Sequence, residues 1–324
     1  MLKVSNLSFS YDDRRVLHKI NFELTAGEQL SIIGESGSGK STLLKIIYGL
    51  LHVDQGELTW NGEKLLGPLY HLVPGEDFMK YQAQDFDLQH TLTIEEHIGK
   101  YLSNFYLKKK KARIQELLEL VDMQDHTGKK PNELSGGQQQ RIALARVLAK
   151  EPKLLLLDEP FSNIDNNKKN KLRRQLFSYL RENKISCIVA THENTDSLSY
   201  SDRTLVLKKG QPVALDTPYN LYQFPKNKYV AGLFGEVNDI SMKYFEGDPK
   251  DKVLLYPEEL FAVKNGGVPV TIRQSFYEGN GYLTEANCGR KKILFKTKAP
   301  VEPGSRLQLS ANASLIKSRL NQPK

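Results

Sequence analysis

The segment GESGSGKS, from Gly34 to Ser41, fits the pattern G-x-x-x-x-G-K-S in full. The apolar stretch QLSIIG precedes it and KSTLLKIIYGLL follows it, which places the glycines between a buried strand and a buried helix. Backbone N–H groups of such a loop can surround phosphate oxygens, and the start of the helix adds its positive dipole end. The sequence therefore predicts a nucleotide-phosphate site, with Lys40 at the outer phosphates and Ser41 as a ligand of Mg²⁺.

A second segment, the acidic LLLLDEP, adds the carboxylates that a nucleotide site with Mg²⁺ needs. Its leucines predict a strand buried on both faces, and Asp158 at its end can hold Mg²⁺ directly or through water. Glu159 is placed to align or deprotonate an attacking water. His192 follows the strand CIVAT at the ligand-binding edge of such a sheet, so we predict a contact with the γ-phosphate.

The order of segments predicts an α/β fold. The strands KLLLLDEP and SCIVATHE are separated by the helical segment NNKKNKLRRQLFSYLREN, which indicates a mostly parallel sheet covered on both faces. Residues 95–125 read as helical throughout, and a predominantly helical insertion over about 85–150 is predicted to form a subdomain of its own.

The pattern changes after about residue 235. Short alternating runs punctuated by Gly, Pro and Asn predict an all-β region, a small barrel or barrel-like sheet. We therefore expect two domains, residues 1–235 and residues 236–324.

The composition limits the possible cellular location and partners of the chain. The sequence has no apolar run that could span a bilayer and no apolar signal core at its start, so we expect a cytosolic chain. Cys187 and Cys288 are expected to be reduced structural thiols. The net charge of +8 permits contact with nucleic acid or anionic lipid, but scattered solvated lysines explain it better, since the only dense basic run is KKKKAR at 108–113.

The stretch LSGGQQQR, Leu134 to Arg141, opens a further helix. Ser135 can cap that helix, and Gly136 and Gly137 leave its first N–H groups open. From these residues alone the segment is either a plain helix cap or a second anion site.

These motifs, in this order, resemble the nucleotide-binding subunit of an ABC transporter over roughly residues 1–235. The resemblance implies a P-loop NTPase fold with a RecA-like core and a helical subdomain. Tyr11 corresponds to the aromatic residue that stacks on adenine, and Gln84 to the glutamine that touches Mg²⁺ and the attacking water. Asp165 corresponds to the loop that crosses the dimer interface, and His192 to the switch histidine. The implied ATP-binding residues are Tyr11, Gly34, Glu35, Ser36, Gly37, Ser38, Gly39, Lys40, Ser41, Thr42, Ser135, Gly136, Gly137 and Gln138.

The resemblance also implies partners and a mechanism. Two copies would close around two ATP molecules, each held by the loop of one subunit and covered by Ser135–Gln138 of the other. Closure would move integral membrane permease subunits, served indirectly by a solute-binding protein, with the chain at the cytoplasmic face of the membrane. Nucleic acid is not an expected partner.

The tail narrows the class. LYPEEL at 255–260 resembles a segment of the small, OB-like C-terminal domain of importers of ferric iron, polyamines, sugars and molybdate, although Tyr256 and Glu259 depart from the commonest residues. The short tail favours ferric iron or a polyamine as the solute. The alternatives are a soluble ABC ATPase acting on ribosomes or DNA, and an exporter ATPase.

Overall fold

The computed structural model describes residues 1–320. The chain divides into two compact units, Met1–Pro218 and Tyr219–Lys324. The division lies upstream of the predicted boundary at 235/236, because residues 219–235 belong to the second unit.

The first unit contains ten strands and six helices among the described residues. In chain order they are β1 (Leu2–Tyr11), β2 (Arg14–Leu24), β3 (Gln29–Ile33), α1 (Lys40–Tyr48), β4 (Gln55–Trp60), β5 (Glu63–Lys64), β6 (Met79–Gln82), α2 (Ile94–Gly99), α3 (Leu107–Leu120), α4 (Gly136–Leu148), β7 (Leu154–Asp158), α5 (Asn166–Glu182), β8 (Ser186–Thr191), α6 (Asn194–Tyr200), β9 (Arg203–Lys208) and β10 (Gln211–Asp216).

The central sheet has the strand order β10-β9-β3-β8-β7-β6. Its pairs from β9 to β6 are parallel, and β10 joins the edge as an antiparallel strand. Every residue of β3, β7 and β8 is buried, as expected for parallel strands with helices on both faces. The predicted α/β fold is confirmed.

The leucines of β7 divide between two apolar cores. Leu154 and Leu156 pack into the core that contains α1, whereas Leu155 and Leu157 pack into the core that contains α4 and α5. Successive side chains of a strand point to opposite faces, so this one short strand supports both layers of helices. The carboxyl end of β7 is thereby held between α1 and α4.

A second, antiparallel sheet has the order β2-β1-β4-β5. The sequence predicted β1 as a strand but not this sheet. The sheet's apolar residues, such as Leu7 and Leu17, join the core on the α1 side of the central sheet.

The predicted continuous helix over 95–125 is wrong. Helices α2 and α3 are separated by non-helical residues around 101–106. The Ser103 hydroxyl accepts a hydrogen bond from the backbone N–H of Phe105, which gives that group a partner outside a helix. Helix α2 begins instead at a capping box formed by Thr93 and Glu96.

The second unit is rich in β-structure, as predicted. Its elements are α7 (Pro218–Gln223), which starts at the division, then α8 (Lys228–Phe234), β11 (Asn238–Ser241), β12 (Lys252–Leu255), β13 (Leu260–Val263), β14 (Val268–Tyr277), β15 (Tyr282–Cys288), β16 (Lys291–Thr297), β17 (Arg306–Ala311) and α9 (Ala313–Leu320). Strands β11 and β12 form a ribbon, and the other strands form an antiparallel sheet in the order β13-β17-β14-β15-β16.

The helix α9 was not predicted, although Asn312 gives a signal for it. Its side-chain oxygen accepts a hydrogen bond from the backbone N–H of Ser314 at 2.9 Å. Within the same unit, Arg319 of α9 forms two hydrogen bonds of 2.7 Å with the carboxylate of Glu259. The guanidinium of Arg319 also lies 5.6 Å from the ring centre of Tyr256. These contacts hold α9 against the LYPEEL segment.

Candidate nucleotide site

The loop Gly34–Gly39 joins β3 to α1 and has little room for side chains at two of its glycines. Gly39 has φ of 101°, a left-handed conformation, and a Cβ there would lie 2.7 Å from Leu17 Cδ2. A Cβ on Gly34 would lie 2.3 Å from the carbonyl oxygen of Leu207. The loop is therefore fixed between β2 and the end of β9.

The side chain of Lys40 folds back onto this loop. Lys40 is buried, and its Nζ donates to the carbonyl oxygens of Gly34 at 2.8 Å and Glu35 at 3.1 Å. Burial lowers the pKa of Lys40, although Glu159 and Asp158 oppose this effect. The buried Ser38 hydroxyl has no hydrogen-bond partner among residues 1–320. The remaining predicted loop residues, Ser36, Gly37, Ser41 and Thr42, lie in the same loop and the first turn of α1.

Asp158 ends β7 beside this loop. Its Oδ1 accepts a hydrogen bond from the Ser41 hydroxyl at 2.9 Å, and its Oδ2 accepts one from the Tyr81 hydroxyl at 3.2 Å. Burial raises the pKa of Asp158, and the two hydrogen bonds oppose that shift. Burial also raises the pKa of Tyr81, so its hydroxyl remains a donor.

Glu159, the residue after Asp158, has an unusual backbone conformation. Its φ of 49° is left-handed, a conformation that costs energy for any residue with a Cβ. Its N–H donates to the carbonyl of Ala190 at 2.9 Å, which ties it to β8. Its Oε1 lies 3.1 Å from Nδ1 of His192, whose side chain is 58% exposed. Glu159 and His192 are thus brought together at one edge of the central sheet.

Two predicted residues flank this group. Gln84 is exposed and follows β6, whose Gln82 pairs with Leu157 in register, so the chain leaves β6 beside Asp158 and Glu159. Tyr11 ends β1, is 43% exposed, and packs edge-on against Phe9. Its hairpin leads into β2, the strand that contacts Gly39.

The signature segment starts α4. Ser135 and Gln138 form a capping box: the Ser135 hydroxyl accepts from the N–H of Gln138 at 3.3 Å, and the Gln138 side chain accepts from the N–H of Ser135 at 2.9 Å. The two glycines differ. A Cβ on Gly136 would meet no described atom within 4 Å, whereas one on Gly137 would lie 2.6 Å from the carbonyl oxygen of Asn163.

Gln140 connects this helix to the acidic segment, a contact that the sequence reading missed. It is fully buried, and its Nε2 donates to the carbonyl oxygen of Glu159 at 2.9 Å. Its Oε1 accepts from the N–H of Asn163 at 3.0 Å, two residues before Asp165, which directly precedes α5. The only signal was its place in LSGGQQQR.

A buried network of ion pairs involves the residues that follow His192, and the sequence analysis did not predict it. Arg173 of α5 lies 2.6 Å from Glu193 Oε2 and 2.6 Å from Asp196 Oδ1, and Lys169 lies 2.7 Å from Glu193 Oε1. Asp196 also accepts from the hydroxyl of Thr191 at 2.7 Å. Two cations four residues apart on the buried face of α5 were the available signal.

The glycine loop between β3 and α1, the Ser41–Asp158 pair and the Glu159–His192 pair converge at the carboxyl edge of the central sheet. This combination of fold and site defines a P-loop nucleoside triphosphatase.

Comparison with known proteins narrows this class. The family described as "ABC transporter" matches residues 17–162. The Fe(3+) ions import ATP-binding protein FbpC of Haemophilus influenzae is 37% identical over 239 residues, covering 73% of this chain and 68% of that protein. The spermidine/putrescine import ATP-binding protein PotA of Thermotoga maritima is 35% identical over 274 residues, covering 82% and 70%.

Solved structures agree. A dimeric, post-hydrolysis state of the ATP-binding cassette MJ0796 bound to ADP and Pi aligns with a TM-score of 0.61 and 29% identity, covering 67% of this chain and 99% of that one. The chain belongs to the ABC transporter family; it is an ATP-binding subunit of the import type and hydrolyses ATP. Over residues 1–320, no helix has both the length and the apolar character to cross a membrane.

Proposed function

We propose that this chain powers solute import by closing as a homodimer around two ATP molecules, with one copy completing the site of the other. The observation that carries the ATPase part is the convergence of Ser41, Asp158, Glu159 and His192 at one sheet edge. The following roles belong to this proposal.

ATP binding rests on the loop. Backbone N–H groups of Gly34–Thr42 and the ammonium of Lys40 surround the phosphates, and the unpartnered Ser38 hydroxyl offers one more donor. The exposed ring of Tyr11 stacks on the adenine.

The residues at the end of β7 fit Mg²⁺. The Ser41 hydroxyl and the Asp158 carboxylate offer hard oxygen ligands 2.9 Å apart, and Gln84, two residues after β6, would add an amide oxygen. Mg²⁺ sites use few protein ligands together with substrate phosphates, so this small set of oxygen ligands fits the ion. When bound, the ion would neutralise charge on the β- and γ-phosphates.

Glu159 is the proposed general base. Ala190 and Gln140 form hydrogen bonds with its backbone, and these bonds fix the position of the Cα atom that carries the side chain. The carboxylate aligns water with the γ-phosphate, and His192 beside it contacts the same phosphate.

The dimer explains the second anion site. Gly136 leaves open space at the N-terminus of α4, so a phosphate of the partner's ATP can approach Ser135–Gln138. The dimeric state reported for the related cassette MJ0796 supports this arrangement. We assign Asp165, which directly precedes α5, to the same interface.

Import requires a membrane partner. We propose that permease subunits dock beside Gln84 and the helical subdomain over about 85–150, at the cytoplasmic face, with a separate solute-binding protein outside. Residues 1–235 would be the ATPase domain and 236–324 a regulatory domain. Relatives named for ferric iron and polyamine import support those two solute classes.

The test uses the tagged full chain in detergent-solubilised membranes of its host. Integral membrane proteins should co-purify with it, and phosphate release from ATP should require Mg²⁺ and be lost in Lys40→Ala. Co-purification with ribosomes instead would favour the soluble alternative and overturn the import proposal.

A further inference from the structure

Tyr81 contacts the proposed magnesium site from the neighbouring strand. In the parallel pairing of β6 with β7, Tyr81 is level with Leu156. Side chains two residues apart on a strand share a face, so Tyr81 and Asp158 point to the same side of the sheet. The Tyr81 hydroxyl reaches Asp158 Oδ2 at 3.2 Å along this diagonal.

The Asp158 carboxylate is consequently held at both oxygens. Ser41 donates to Oδ1 from α1, and Tyr81 donates to Oδ2 from β6. The terminal torsion of an aspartate is soft, so a single hydrogen bond would leave the plane of the carboxylate free to turn. The second hydrogen bond removes that freedom.

Tyr81 is itself fixed. Its ring packs against that of Tyr48, with ring centres 5.4 Å apart. Tyr48 is the last residue of α1, the helix that also carries Ser41. Both hydroxyls that bond to Asp158 are therefore positioned by the same helix: Ser41 belongs to α1, and Tyr81 packs against Tyr48 of α1.

We propose that Tyr81 is a positioning residue of the magnesium site: it orients Asp158 so that Oδ1 and the Ser41 hydroxyl face the ion. This inference rests on the proposed function. Mg²⁺ demands near-ideal octahedral geometry, so the orientation of its carboxylate ligand affects affinity directly. Removing a hydrogen bond to a metal ligand typically lowers metal affinity by about 10- to 100-fold.

The test measures metal affinity rather than turnover. Mn²⁺ binding to the full chain with a non-hydrolysable ATP analogue is followed by electron paramagnetic resonance, and ATP affinity is measured separately in EDTA. Tyr81→Phe keeps the ring and should raise the Kd for Mn²⁺ about tenfold, leaving ATP affinity in EDTA unchanged. Tyr48→Phe, which removes a neighbouring hydroxyl, is the matched control and should leave both constants unchanged.

A double variant shows whether Tyr81 acts through Asp158. Tyr81→Phe should add no further loss of Mn²⁺ affinity in an Asp158→Asn background. An unchanged Kd for Mn²⁺ in Tyr81→Phe, an equal loss in Tyr48→Phe, or a parallel loss of ATP affinity in EDTA would overturn the inference. Failure of the unaltered chain to bind Mn²⁺ with nucleotide would instead contradict the proposed metal site itself.

Discussion

The side chain of Gln140 donates to the carbonyl oxygen of Glu159 at 2.9 Å, and the same amide accepts from the N–H of Asn163 at 3.0 Å. The helix that starts with the signature segment thus holds the backbone at Glu159 and again at Asn163, four residues later. In the proposed dimer, this joins the residues covering one ATP to the base acting on the other.

Replacing Gln140 by Leu should lower turnover more than nucleotide binding. The variant leaves the Glu159 carbonyl and the Asn163 N–H without this partner, at a cost of about 1–3 kcal/mol in the free energy of unfolding. Displacement of the Glu159 carboxylate should reduce kcat by up to about 100-fold with KM for ATP nearly unchanged. Steady-state kinetics and chemical denaturation measure both effects.

The control for that variant is Gln139→Leu. Gln139 donates to the carbonyls of Pro131 and Leu134, away from Glu159, so its loss should affect stability alone. A kcat of Gln140→Leu equal to that of Gln139→Leu would contradict the positioning role of Gln140.

Substitutions at the two adjacent glycines of α4 distinguish an effect on the stability of the monomer from an effect on the ATP site shared in the dimer. A Cβ on Gly136 meets no described atom within 4 Å, and an acidic side chain at the first turn stabilises a helix by about 0.3–1 kcal/mol. Gly136→Asp should therefore keep or raise the melting temperature and preserve ATP binding by the monomer. Hydrolysis should be lost, because the carboxylate would repel the partner's ATP.

Gly137→Ala is the comparison. Its Cβ would lie 2.6 Å from the Asn163 carbonyl oxygen, so it should cost about 1–3 kcal/mol of stability within the monomer. Melting curves, ATP titrations and phosphate release distinguish the two. Native turnover in Gly136→Asp would rule out the shared site.

Glu159→Gln should stop the chemical step without releasing ATP. The amide keeps the size of the side chain but cannot accept a proton from water, and loss of a general base typically costs about 100- to 10,000-fold in rate. We expect an ATP-bound dimer to accumulate, visible as a doubled mass in size-exclusion chromatography with ATP. Turnover at the native rate would show that another group is the base.

Glu193 should give the fold a defined acid sensitivity. Burial alone would raise its pKa, but hydrogen bonds and ion pairs with Lys169 and Arg173 lower it below its ordinary value of 4.5. A carboxyl whose pKa is lower in the folded state stabilises the fold above its unfolded pKa and loses that contribution as the pH falls.

The free energy of unfolding of the native chain should therefore exceed that of Glu193→Gln at neutral pH. The difference should shrink as the pH falls below 4.5. Denaturant titrations along a pH series measure it. Burial, the main cause of the raised pKa of Asp196, is common to both proteins, whereas the repulsion from Glu193 that also raises it is lost in the variant. Glu182→Gln, at the exposed end of α5, is the control. A difference that stays constant with pH would contradict the role of the ion pairs.

Local patterns predicted the central part of the site. The glycine spacing of the loop, the leucines of β7 and the polar residues after β7 and β8 each depend on neighbours in sequence, and the fold is as expected. The antiparallel sheet around β1 and the break between α2 and α3 depend on contacts that periodicity does not encode.

Long-range partners account for the rest. In the sequence, Gln140 is one of three consecutive glutamines and nothing distinguishes it from the others. Its role depends on the chain after Glu159, which folds back onto α4. Tyr81 resembles any aromatic residue of a buried strand until β6 pairs with β7 and its hydroxyl meets Asp158. The spacing of Lys169 and Arg173 indicates a buried cationic face of α5 but not its partners, which come from the segment after β8.

The left-handed backbone of Glu159 has a consequence for protein engineering. A residue with a Cβ is held there at a cost of about 1 kcal/mol, which Gly would avoid. A search for thermostable variants scored on folding alone would therefore favour losing the side chain proposed as the catalytic base. At position 159, selection for folding stability favours Gly, whereas selection for turnover favours Glu.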